Sequence, residues 1–145
     1  MRRLRFAASI GAFATVALMT SMAQAQPSAQ EAANMGVFRE VVQMWESGDT
    51  AKLNDVVAPD YIGHPAAGDR DLAGLRARIA AFREQFPGAK FAIQDQVASG
   101  DKVATRLTAT ATSKSGKPVR LYGMNISRFR DGRIVEEWPV WEVEP

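Results

Sequence analysis

Two periods divide the chain. From Glu31 to Ser47, Val37/Phe38, Val41/Val42 and Met44/Trp45 recur at three- and four-residue intervals, one stripe of a helix. Gly48 suits the left-handed exit from that helix. Asp49 or Thr50 can cap a short second helix through Val57, with Leu53, Val56 and Val57 inward, ended by Pro59. Asp60 to Arg70 reads as a turn-rich stretch. Asp71 is placed to cap a third helix whose stripe is Leu72, Leu75, Ile79, Phe82 and Phe86, stopped by Pro87-Gly88.

After Gly88 the period becomes two. Phe91, Ile93 and Val97 alternate with polar residues. Val103, Thr105, Leu107 and Ala109 face one way; Arg106, Thr108 and Thr110 face the other. Turns at Ser99-Gly100-Asp101, Lys114 to Pro118 and Asp131-Gly132 separate strands that continue from Val119 to Arg130 and from Arg133 to Val143. The expectation is an α+β domain. Three N-terminal helices gather on one face of a curved, four-stranded antiparallel meander.

The first residues follow neither period. Met1-Arg2-Arg3-Leu4-Arg5 is basic, Phe6 to Met19 is apolar, and Ala23-Gln24-Ala25 supplies small residues at a cleavage-type site. Those are the three parts of a secretory signal peptide. Residues 1–25 are therefore read as a signal, and 26–145 as a single domain in the periplasm or secreted. The apolar run is shorter than the roughly 20 residues of a membrane span, so no membrane is expected in the mature form.

Cleavage changes the charge balance. It removes Arg2, Arg3 and Arg5 from the 18 basic residues and none of the 16 acidic ones, leaving a net charge of −1. That gives no support for a nucleic-acid partner. Without cysteine there is no disulfide or thiol nucleophile, and with His64 as the only histidine a zinc site of the usual kind has too few ligands. No G-x-S-x-G elbow, G-x-G-x-x-G or phosphate loop occurs.

The last strand holds the candidate chemistry. Strict alternation puts Ile134, Glu136, Trp138, Val140 and Glu142 on one face. If that face lines a hollow between sheet and helices, a carboxylate lies in apolar surroundings, its pKa rises, and it can move protons near neutral pH. Alternatively, Glu136 and Glu142 reach water at the strand ends. They stand about 20 Å apart, at roughly 3.3 Å per residue, too far for paired-carboxylate glycosidase chemistry. Trp138 and Trp141 point to opposite faces; one can line a pocket while the other covers an outer face, as in a dimer. His64, in a turn beside Tyr61 and Pro65, can be a structural hydrogen-bonding residue or a catalyst.

Several segments in order resemble the SnoaL-like polyketide cyclases, also called predicted ester cyclases. These are Pro59-Asp60-Tyr61-Ile62-Gly63-His64-Pro65, Phe86-Pro87, Gly100-Asp101-Lys102-Val103-Ala104-Thr105-Arg106, and Phe129 to Trp138. The resemblance implies the nuclear transport factor 2-like fold, a cone of helices wrapped by a curved sheet. It implies intramolecular aldol ring closure without metal or organic cofactor. It places the acid–base residue at Glu142, four after Trp138, where the family usually has Asp. It sets His64 on a pocket-lining His and Arg106 on a strand Arg. The family's Gly-Thr-His stretch is replaced by Ala109-Thr110-Ala111-Thr112.

The expected function is a pocket for a small, mostly apolar carbonyl compound. Glu142 and His64 are the candidate catalysts, and Tyr61, Arg106, Trp138 and Glu136 the candidate substrate contacts. The alternative is a non-catalytic ligand-binding or dimeric interaction module. A homodimer is expected through the outer sheet face.

Overall fold

A computed structural model describes residues 26–144; the signal-peptide reading lies outside the described residues. Helix α1 spans Ala29–Ser47. Ser28 caps it in a reciprocal box with Glu31, and Gly48 leaves it at φ 77°. Its buried side, Phe38, Val41, Val42 and Met44, is the predicted stripe. A single turn, α2 (Leu53–Val56), follows. Helix α3 (Leu72–Gln85) starts at Asp71, whose side chain accepts from Gly74 N, and buries Leu75, Ile79 and Phe82.

The strands are β1 (Val57–Gly63), β2 (Lys90–Ser99), β3 (Lys102–Thr112), β4 (Pro118–Arg130) and β5 (Arg133–Val143). They form one sheet in the order β1-β5-β4-β3-β2. Four of these strands are the expected antiparallel meander. The fifth corrects the expectation: Val57 to Gly63, read as helix end and turn, is a strand lying parallel to β5. As an edge strand it tolerates Pro59, which has no N–H to donate. The hairpin at Asp131-Gly132 has positive φ at both residues, 51° and 74°, as its sequence predicts.

Helices α1 and α3 fill the concave face. The core joins Phe38, Val41 and Val42 to Leu75 and Ile79 and to the sheet residues Val103, Leu107, Phe129 and Ile134. A second cluster, around Phe82, Ala109 and Leu121, lies beneath the C-terminal end of α3. No helix among the described residues is long and apolar enough to cross a membrane.

A bulge in β5 sets the site. Opposite β4, Arg128 pairs with Glu136 while the next residue, Phe129, pairs with Ile134, so Val135 is the extra residue. Strict alternation fails there. Ile134 is buried as expected, but Glu136, Trp138, Val140 and Glu142 fall on the convex side. Glu137, Pro139 and Trp141 take the concave side, opposite the inward residues Ser127, Asn125 and Gly123. The facing assigned to β5 from sequence is therefore corrected beyond Ile134.

Candidate active site

The concave face encloses a cavity of about 490 Å³ between α1, α3 and the β4–β5 half of the sheet. Its walls are aromatic and aliphatic, with Phe38, Trp45, Phe82, Phe91 and Trp141 among them. Phe82 packs against Trp45, Phe86 and Phe91, and Trp141 meets Phe91 edge-on. Gly123 lies beneath the Trp141 ring: a Cβ there would come within 2.6 Å of it.

One buried carboxyl stands in this wall. Glu137 is 6% exposed. Tyr61 Oη donates to its Oε2 at 3.0 Å, and Asn125 Nδ2 and Ser127 Oγ donate to its Oε1 at 2.7 and 2.9 Å. Three strands bring these groups together, with Tyr61 from β1, Asn125 and Ser127 from β4, and Glu137 from β5. Burial drives the Glu137 pKa upward, against the three hydrogen bonds and the more distant Arg70 cation, which favour the ionised form. The Tyr61 hydroxyl is likewise pushed up, first by burial and then by the neighbouring carboxyl, so it remains a donor. The arrangement is a carboxyl of raised pKa held in a fixed orientation in a largely apolar wall.

Of the residues singled out from sequence, Tyr61 lies in this site. Glu142 is exposed at the cavity rim, on a strand position whose alternation points to the convex side. His64, Glu136 and Trp138 form a separate group on the convex side. The His64 ring nitrogens stand 2.9 Å from Asp69 Oδ1 and 2.9 Å from Glu136 Oε1. Arg128 donates to the other Glu136 oxygen, and the His64 ring stacks on Trp138. Asp69 first, then Glu136, raise the His64 pKa. Arg128 first, then His64, lower that of Glu136. Arg106 is on the convex face in an ion pair with Asp95. His64, Glu136, Trp138 and Arg106 are thus not brought together with Tyr61, whereas Glu142 reaches the rim of the same cavity.

Glu137 and its partners Asn125 and Ser127 are the residues that the sequence reading missed. The available signal was in β4. Leu121, Gly123, Asn125, Ser127 and Phe129 alternate as one inward face, and two polar side chains there need a buried partner. Among the described residues, no three His, Asp or Glu side chains are grouped to hold a metal.

A cone of helices wrapped by a curved sheet defines the nuclear transport factor 2-like fold. Within it, the SnoaL-like polyketide cyclase profile matches residues 36–143, and the chain belongs to that family. IdmH from Streptomyces antibioticus, a candidate polyketide cyclase, is 30% identical. The match covers 75% of this chain and 91% of that one, with a TM-score of 0.69. A candidate polyketide cyclase from Acidithiobacillus ferrooxidans is 25% identical over 76% of this chain and 88% of that one, with a TM-score of 0.68. A SnoaL-like protein from Jannaschia, at 15% identity, shares the fold at a TM-score of 0.72 over 81% of this chain and 91% of its own. Among curated proteins none matches.

Proposed function

We propose that this protein is an exported, cofactor-independent acid–base catalyst of the cyclase or isomerase type. Its substrate is a small, mostly apolar carbonyl compound, and Glu137 carries the proton. The observation behind this reading is the buried Glu137 carboxyl, held by Tyr61, Asn125 and Ser127 in the wall of a largely apolar cavity. The ionised carboxyl takes a proton from carbon next to the carbonyl, leaving an enolate. In a ring closure, that carbon bonds to a second carbonyl carbon of the same molecule, and the alkoxide formed takes the proton back. In an isomerisation, the proton returns to a different carbon. Either path balances without oxidant or reductant, and desolvation strengthens the ionised carboxyl as a base.

The direct test is α-proton exchange. The purified protein is incubated with 2-tetralone in deuterium oxide and exchange is followed by NMR. Exchange above background that falls about 10²-fold or more in Glu137→Gln supports the reading. Exchange equal to background, or unchanged in Glu137→Gln, removes it.

A second reading is a non-catalytic ligand-binding module. It is favoured by one feature: both Glu137 oxygens already have donors from the protein, as in a purely structural network. The convex face exposes Tyr122, Met124, Ile126, Trp138 and Val140, and under either reading it is the proposed homodimer surface.

A further inference from the structure

Two cations stand in the wall of the apolar cavity without a carboxylate partner. Arg70 and Arg78 both line it. Arg106, Arg120, Arg128 and Arg130 form ion pairs, with Asp95, Glu144, Glu136 and Asp60; Arg70 and Arg78 take part in none among the described residues. Each is anchored, Arg70 through its main chain and Arg78 through its ring contacts. Arg70 is held by reciprocal main-chain hydrogen bonds with Gly63, at 2.8 and 2.9 Å. Arg78, exposed at the cavity mouth between Leu75 and Phe82 of α3, has its guanidinium 5.9 Å from the Trp45 ring and 5.8 Å from that of Phe82. The two cations sense each other: burial, then repulsion from Arg70, lowers the Arg78 pKa. The acidic groups of the wall do not neutralise them by contact. Glu137 is engaged by its three donors, and Glu142 is at the rim.

A second, independent feature lies deeper. Asn125 is 6% exposed and uses Nδ2 for Glu137 and Ser127. Its Oδ1 is buried with no hydrogen-bond partner, in a residue that lines the same cavity. A buried acceptor of this kind is costly unless a donor reaches it.

We propose that the ligand of this cavity is an organic carboxylate. Its apolar ring body lies among the aromatic walls, its carboxylate is held by Arg70 and Arg78, and a hydroxyl reaches Asn125 Oδ1. Planar guanidinium forks match a carboxylate. A phosphate would more often use a helix N-terminus, and in α3 the Asp71 side chain already occupies that end. This inference rests on the cavity being the substrate site, but not on catalysis.

The test compares 6-hydroxy-2-naphthoate with its neutral analogue 6-hydroxy-2-naphthamide by calorimetry on the purified protein. The carboxylate is expected to bind about tenfold more tightly or better, as for hydrogen bonds to a charged group. Arg78→Lys should keep part of that preference, and Arg70→Gln/Arg78→Gln should abolish it. Equal or tighter binding of the amide overturns the proposal, as does failure of both probes to bind. A preference that survives in a folded double variant also overturns it. If the double variant does not fold, the wild-type preference and the Arg78→Lys value still decide. The catalytic reading fails separately: absent 2-tetralone exchange with an intact carboxylate preference removes the proton transfer and leaves the anion site standing.

Discussion

Gly63→Ala should break the site from outside the cavity. The added methyl would lie 2.4 Å from the Tyr61 hydroxyl oxygen, 3.1 Å from Tyr61 Cζ and 3.4 Å from Arg70 Cγ. An unstrained contact needs roughly 3.5 Å, so the hydroxyl must retreat by about 1 Å. It bonds Glu137 at 3.0 Å, and that retreat breaks the bond. Overpacking costs about 1–3 kcal/mol, and the lost donor to a buried carboxyl about 1.5–3 kcal/mol. The variant should be about 3–5 kcal/mol less stable, and at roughly 4 °C per kcal/mol its Tm should fall by roughly 12–20 °C. Tyr61→Phe removes the atom that clashes. In that background the closest remaining contact is the 3.1 Å one to Cζ, so Gly63→Ala should cost no more than about 1–2 kcal/mol. Urea unfolding of the two single variants and the double gives the coupling energy, expected near 2 kcal/mol. Additivity within about 0.5 kcal/mol would mean that Gly63 and Tyr61 do not meet as described.

Glu137→Gln should alter how stability depends on pH. The Glu137 pKa is raised in the folded state, so its contribution is complete at acid pH and is lost as pH rises from the ordinary glutamate range through the folded value. Relative to wild type, the Gln variant should therefore fare better at pH 8 than at pH 4 in thermal unfolding; an unchanged difference would contradict the raised pKa. Sedimentation at micromolar concentration should show a homodimer that Met124→Lys converts to monomer, because Met124 is 57% exposed on the convex face; a monomeric wild type would dismiss that interface. Protein recovered from the cell envelope should begin at Gln26, and an intact Met1 start there would refute cleavage after Ala25.

The helices and four of the strands were legible because their burial is strongly periodic. The stripe of α3, from Leu75 to Phe82, and the alternation of β3, from Val103 to Ala109, leave one arrangement each. β1 was illegible because Pro59, Asp60 and Gly63 carry turn signals locally, while their strand conformation comes from pairing with a segment more than seventy residues away. The site was missed for a narrower reason. Period two is exact only without a bulge, and one extra residue at Val135 exchanges the roles of Glu136 and Glu137. Neighbouring glutamates look equivalent in sequence. The structure separates them, giving one an arginine and a histidine on the convex side and the other three neutral donors inside. Tyr61, named from sequence as a candidate substrate contact, lines the cavity, although the strand that carries it was not legible.

The parallel pairing of β1 with β5 also sets an order of events during synthesis. Ile62 finds Glu136, 74 positions later, and Gly63 finds Glu137. A ribosome has released Tyr61 long before it makes the carboxyl that Tyr61 must bond, so the N-terminal half emerges without its sheet partner. The helices can form early from local contacts, whereas the ring of donors around Glu137 closes only when the last strand arrives. Under the proposed export, in which the chain would be threaded unfolded through a translocation channel, late closure is an advantage: the growing polypeptide has no finished site, and no completed sheet, to be pulled apart.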